Sequence, residues 1–305
     1  MRRLFQSLVY VMGTYAVGAW SAFASLPDEP VSTPYGKIPL PYVEPAPDDS
    51  LWAPFGPPDS LRPPPMPRPR LPDVLPFGPG ELLEFSIDYG IINAGGATME
   101  IQEVRRIGGR PCFDIHTEAK SNSVFSKVYK VWDRSQTFLD TQELLPLRYE
   151  KHQREGDYKK DLLIKFDREK NVASYENGDL VSIHPHAQDE LSAFYYLRAV
   201  PLEVGREVYV DTHTNRKNYP LKVLVHRRET ITVPAGTFDC YVIEPVMREG
   251  GIFSAKGKLT VWITADERRM PVLLRTKIVV GSISASLVKY REGERARRIG
   301  GTARS

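Results

Sequence analysis

Six histidines, two cysteines and four tryptophans are the rarer side chains from which this sequence could build a site. Two of the histidines cluster as His184-Pro185-His186, with Asp189 and Glu190 close behind. In extended backbone, residues two apart face one side, so the two rings could share a metal with a following carboxylate. A proline-containing loop leading into a helix explains the same residues without a metal. Trp132, within a strand pattern, could stack on a sugar ring or line an acyl pocket, and Trp262 could do the same; core packing is the alternative for both. Tyr195 and Arg198 stand together on a helical pattern, where the planar fork of Arg198 could hold an anionic group. Its alternative is a salt bridge locking helix to sheet. Trp132, Tyr195, Arg198 and Trp262 are thus the candidate ligand-binding residues, and His184 and His186 are weak candidates for a metal.

No residue stands out as catalytic. G-x-S-x-G is absent, since Gly281-Ser282-Ile283-Ser284-Ala285 lacks the second glycine, and H-E-x-x-H, phosphate-loop and dinucleotide patterns are missing too. Ala94-Gly95-Gly96 reads as a bulge or a close approach of two backbones rather than a phosphate loop. No cofactor is implied. The chain carries 41 basic and 38 acidic residues in 305, too even a balance for a nucleic-acid binder working by bulk charge.

These side chains are carried by a chain in four parts. Residues 1–24 have the layout of a secretory leader: Arg2 and Arg3, an apolar run, then Ala22-Phe23-Ala24 before Ser25. An uncleaved anchor is the alternative; no later segment is apolar enough to span a membrane. Residues 25–79 hold 18 of the 26 prolines and read as a disordered tether. Residues 80–290 form the folded domain, and 291–305 a basic, frayed tail. Export also permits a disulfide between Cys112 and Cys240, which would close a loop of roughly 130 residues, about 5 kcal/mol in the chain-entropy model. The alternative is two buried free thiols. Zinc spacings are lacking.

Within the domain, period-two alternation recurs about every ten residues, as in Leu83, Phe85, Ile87 and Tyr89. Asn177-Gly178 marks a hairpin. Tyr219–Arg227 and Glu229–Val233 read as separate strands, and Pro234-Ala235-Gly236 as a turn. Phe238 packs inward if it shares a face with Cys240 and Val242. One helix is expected over Asp189–Val200, capped by Asp189 or Gln188. More than ten short strands with one helix imply an all-β fold: a large curled antiparallel sheet, a β-roll or half-open barrel, with the helix plugging or covering its concavity.

Four fragments in order resemble one family: Gly80-Glu81-Leu82-Leu83-Glu84-Phe85 with Tyr89-Gly90 and Ala94-Gly95; Asp189 through Tyr195-Tyr196-Leu197-Arg198; Val233-Pro234-Ala235-Gly236-Thr237-Phe238-Asp239-Cys240; and Val261-Trp262-Ile263 through Arg269-Met270-Pro271-Val272. They are similar to the bacterial domain of unknown function 3108, over about 80–290. The resemblance implies an exported, mostly periplasmic all-β protein with no established activity. A looser likeness to periplasmic β-spiral envelope-integrity proteins and lipoprotein carriers implies a disulfide in some members, and a concavity that holds acyl chains. The expectation is a non-catalytic protein of the periplasm or cell envelope that binds a lipid, acyl chain or lipoprotein in its sheet. The alternative is an envelope scaffold with a solid core, and an enzyme acting on glycan or lipid is the third reading.

Overall fold

The structure, a computed structural model, describes residues 68–127, 129–246, 259–277 and 281–298. The leader and most of the expected tether lie outside them. Fourteen strands make one antiparallel sheet. They are β1 (Leu82–Tyr89), β2 (Ile92–Ile107), β3 (Arg110–Ser121), β4 (Trp132–Asp140), β5 (Pro146–Glu155), β6 (Tyr158–Asp167), β7 (Val172–Tyr175), β8 (Leu180–Ser182), β9 (Glu207–Thr214), β10 (Lys217–Val233), β11 (Gly236–Val246), β12 (Leu259–Thr264), β13 (Pro271–Lys277) and β14 (Ser282–Arg291). Their order is β8-β7-β6-β5-β4-β3-β2-β1-β14-β13-β12-β11-β10-β9, so the first and last strands of the domain pair in the middle of the sheet. The all-β, curled, half-open architecture expected from the sequence is the one formed.

Local chemistry sets the joints. The β7–β8 hairpin turns at Asn177-Gly178, with Gly178 at φ +87°, a value that favours glycine. Ile87 pairs with Gly95 and Asp88 with Asn93, leaving Ala94 as a bulge. A Cβ on Gly95 would stand 2.1 Å from the Lys120 carbonyl oxygen, so the close approach anticipated there is real. The two strands expected between Tyr219 and Val233 are one, β10, whose register shifts between Val225 and Arg227; a bulge, not a break, interrupts the alternation. Phe238, Cys240 and Val242 are all buried on one face of β11.

The sequence expectation for the helix holds. Among the described residues one α-helix forms, α1 (Glu190–Ala199), and all ten of its residues are buried. The Asp189 carboxylate caps it, accepting from the Leu191 and Ser192 amides at 2.8 Å each. It packs between β4 and β9, strands from the two halves of the sheet.

The folded body is larger than residues 80–290. Leu71, Leu75 and Phe77 are buried in the core, and the Phe77 ring meets Tyr195 and Phe113 edge-on at 5.0 and 5.8 Å. The Leu75 amide donates to the Ala296 carbonyl, and the Arg298 amide to Asp73. Arg298 also donates from its side chain to the Gln142 and Leu71 carbonyls. Residues 68–79, expected in the tether, and 292–298, expected in a frayed tail, thus form a paired strap over the end of the sheet where β1 begins. Proline content conceals the spacing of Leu71, Leu75 and Phe77, which is what docks the segment.

Candidate functional site

The sheet is not closed by backbone pairing, but its two edges meet through the segment between β8 and α1. Gln188 donates its amide to the Asp211 carbonyl and accepts from the His213 amide, both at 2.8 Å. Its side-chain amide reaches the Leu144 carbonyl at 2.8 Å. The Tyr175 hydroxyl of β7 and Nε2 of His213 in β9 stand 2.7 Å apart, and Nδ1 of His213 lies 2.9 Å from Asn218 Oδ1. Burial holds the His213 imidazole down at about 4, against the Asn218 contact, which favours the charged form. A neutral ring that donates to Asn218 and accepts from Tyr175 satisfies both contacts.

This seam takes up the residues that suggested a metal. His184 Nδ1 faces Asp211 at 3.2 Å. Asp189 is engaged by the helix amides and by Thr137 Oγ1 at 2.7 Å. Glu190 accepts from Tyr149, Lys151 and Thr214 at 3.0, 3.3 and 2.7 Å. Burial lowers the His186 imidazole as well. Among the described residues no group of three His, Cys, Asp or Glu side chains is placed to hold a metal ion, and the partners of His184, Asp189 and Glu190 here are protein groups.

The candidate ligand residues are not brought together. Arg198 and Tyr195 lie in the core, 1% and 0% exposed. Arg198 makes a two-pronged pair with Glu81, 2.7 Å on each prong, and Nε donates to the Arg269 carbonyl at 2.9 Å. The helix-to-sheet lock therefore replaces the anion-holding fork. Trp262 is nearly buried, its indole N–H on Glu229 at 2.5 Å. Trp132 is 38% exposed, its N–H on Glu118 at 3.0 Å and the Arg134 guanidinium 4.5 Å from its ring centre.

Cys112 and Cys240 are both free and buried. Cys112 is on β3 and Cys240 on β11, and five strands separate these in the sheet order. A disulfide needs Cα atoms within about 7 Å, and the pairing that the sequence left open is not made. Burial pushes both thiols up to about 12, so neither is a thiolate near neutrality.

Two features escape a one-dimensional reading. The inward face of β5 is polar beyond Pro146: Tyr149, Lys151, Gln153 and Glu155 are all buried. Burial raises Glu155 to about 8, helped by the neighbouring Asp133 carboxylate, and burial raises Asp133 too. Burial and the two like charges favour a proton retained by this pair to higher pH than an exposed carboxyl would keep it.

The second feature is on the outer face of β2 to β5. Strand register aligns Glu100, His116, Gln136 and Glu150 in one row, and Thr98, Glu118, Arg134 and His152 in the next. They line a groove of about 390 Å3 on the outer face that also carries Trp132. His116 is held by Asp114, a buried carboxylate two residues along the same face of β3, 2.7 Å away. That carboxylate also accepts from Gln136 at 2.6 Å. His152 pairs with Asp161 at 2.7 Å. Acids, amides, imidazoles and one guanidinium on a rigid sheet suit a polar ligand or a protein surface. Each residue alone reads as an ordinary solvent-facing position; only the register shows the rows.

A family model described as Protein of unknown function (DUF3108) matches residues 84–288. None of the curated proteins matches the chain. Among solved structures, a β-barrel-like protein of domain of unknown function DUF1849 from Brucella abortus is 8% identical, with a TM-score of 0.50 over 72% of this chain and 100% of that one. A DUF1089 family protein from Pseudomonas aeruginosa is 9% identical, with a TM-score of 0.34 over 60% and 90%. A hypothetical protein from Chlamydia trachomatis is 6% identical, with a TM-score of 0.33 over 73% and 93%. The Brucella likeness is one of fold alone.

Proposed function

The chain belongs to the DUF3108 family, one of unknown function, and we propose from its own geometry that it is an exported, non-catalytic interaction module of the cell envelope. Export rests on the leader-like residues 1–24. One observation carries the interaction reading: the concavity holds α1, all ten of whose residues are buried. The inward side chains of β1 and β14, Leu83, Phe85, Ile87, Ile283, Ala285 and Leu287, are buried as well. An acyl chain in the concavity would have to displace this packing, whereas the polar groove on the outer face is open as it stands.

The experiment has two arms. Protein freed of lipid is titrated with a fluorescent acyl probe, and in cells a photo-crosslinking residue replaces Gln102 in the groove or Lys289 outside it. The expected result is no saturable probe uptake, with adducts to a defined envelope component from position 102 only. Saturable uptake would overturn the reading and return the ligand to the concavity; equal adducts from both positions would remove the groove as the binding face.

A further inference from the structure

The two ends of the curled sheet differ in what they expose. The strap covers the end where β1 begins. At the opposite end, where the β1–β2, β3–β4, β5–β6, β7–β8 and β9–β10 connections lie among the described residues, apolar side chains stand in solvent. Ile91 is 102% exposed, Val124 72%, Leu180 66% and Ile92 54%, with the aromatic rings of Trp132 and Tyr158 beside them at 38% and 37%. Among the described residues, the other exposed large apolar side chains are Tyr219 on β10 and the scattered Val74, Val104, Val204 and Val288.

Position and charge narrow what could cover this end. The apolar residues project from the tips of hairpins. The two leading tips are fixed to each other, since the Asn122 side chain donates to the Asn93 carbonyl at 2.8 Å and the Asn122 amide to Ala94 at 2.9 Å. They are preformed, so ordering them costs little on docking. Lys120, Lys127, Lys130 and Lys159 are exposed around them, and the stretch from 120 to 131 contains no acidic residue; the exposed acids of this end, Asp157, Glu176 and Asp179, lie on the β5–β6 and β7–β8 turns, and Asp179 is paired with Arg216. Convex aliphatic tips, flanking aromatics and a lysine collar match the way interfacial proteins enter a bilayer surface. A rigid protein partner would need a matching set of separate sockets, while lipid deforms around each tip.

We propose that this end docks on an anionic lipid surface, with Ile91, Ile92 and Val124 entering the headgroup region and the lysines facing lipid phosphates. The inference deepens the envelope reading by naming the surface on which the module sits, and leaves the polar groove free beside it.

The test uses the chain from residue 25 onward, the exported form under that reading, so that the apolar leader adds nothing. It is sedimented with vesicles of phosphatidylcholine, with and without phosphatidylglycerol. Binding is expected only where phosphatidylglycerol is present, falling with added salt. The pair Ile91→Asp and Val124→Asp, at sites open to solvent, should weaken it by about tenfold or more with an unchanged melting temperature. Absence of binding, or binding that the two substitutions leave intact, would overturn the proposal. So would a dimer in light scattering that the substitutions convert to monomer, since the tips would then face a second copy. Vesicle binding is read in vitro, so its failure is distinct from a failure of the export or groove reading.

Discussion

The guanidinium of Arg198 on α1 and the carboxylate of Glu81 at the head of β1 meet across 117 residues of chain, both prongs 2.7 Å long. Their side chains are 0% and 4% exposed. Each charge lies where water cannot reach it, so each depends on the other. Arg198→Met leaves the Glu81 carboxylate buried and unpaired and should cost about 3–5 kcal/mol in denaturant unfolding. Adding Glu81→Leu should recover most of that loss. A double variant no more stable than the single one would show that the pair is not the lock between helix and sheet.

The seam gives a pH dependence of defined sign. His213 is held at about 4 in the fold against roughly 6.5 in an unfolded chain. Between those values the unfolded state binds the extra proton, so stability is lost as pH falls through this window, by about 3 kcal/mol. His213→Gln should flatten the dependence of the melting temperature on pH between 7 and 4. An unchanged slope in that variant would assign the acid sensitivity elsewhere.

Glu155 works in the opposite direction. Its folded value of about 8 lies above that of an exposed glutamate, so the folded state holds the extra proton between the two. Stability is therefore present at low pH and lost as pH rises toward 8. Glu155→Gln keeps an uncharged group of nearly the same shape and should stabilise the protein at pH 8 by about 1–2 kcal/mol. Equal melting temperatures for wild type and variant at pH 8 would mean that the Asp133–Glu155 pair carries no such strain.

The thiols give a prediction that separates the two sequence readings of Cys112 and Cys240. Both are buried and held up at about 12. A thiol reagent should label neither in the native state and both after unfolding, without prior reduction. Reductant should leave the melting temperature unchanged. A shift on reduction would restore the disulfide.

Fold class, helix and several joints were legible because they rest on local chemistry: period-two alternation, the Asn177-Gly178 turn, the Asp189 cap, the glycine at position 95. The candidate sites were less so, because their outcome depends on register. Arg198 could equally hold a ligand or Glu81 until the strand carrying Glu81 is placed against the helix. Gln136 and Glu150 look unrelated until β4 and β5 align them. The inward Lys151, Gln153 and Glu155 break the rule that buried faces are apolar; Lys151 meets Glu190 on α1, Glu155 lies by Asp133 on β4, and Gln153 donates to Glu155 along β5.

The strap yields the most direct test of where the domain begins. Leu71, Leu75 and Phe77 bury their side chains against the core, and burying a side chain of this size contributes about 1.5–3 kcal/mol. Together they approach the whole stability of an ordinary domain, about 5–15 kcal/mol. The Arg198 guanidinium also stacks over the Phe77 ring at 5.0 Å, so losing the strap opens the Arg198–Glu81 pair to water. A chain begun at residue 68 should unfold cooperatively with the melting temperature of the chain begun at residue 25. One begun at Gly80, the boundary suggested by strand pattern alone, should melt at least about 10 °C lower or fail to fold, because a loss of several kcal/mol corresponds to a shift of about that size. Equal melting temperatures for the chains begun at 68 and at 80 would show that the strap decorates the curled sheet rather than capping it.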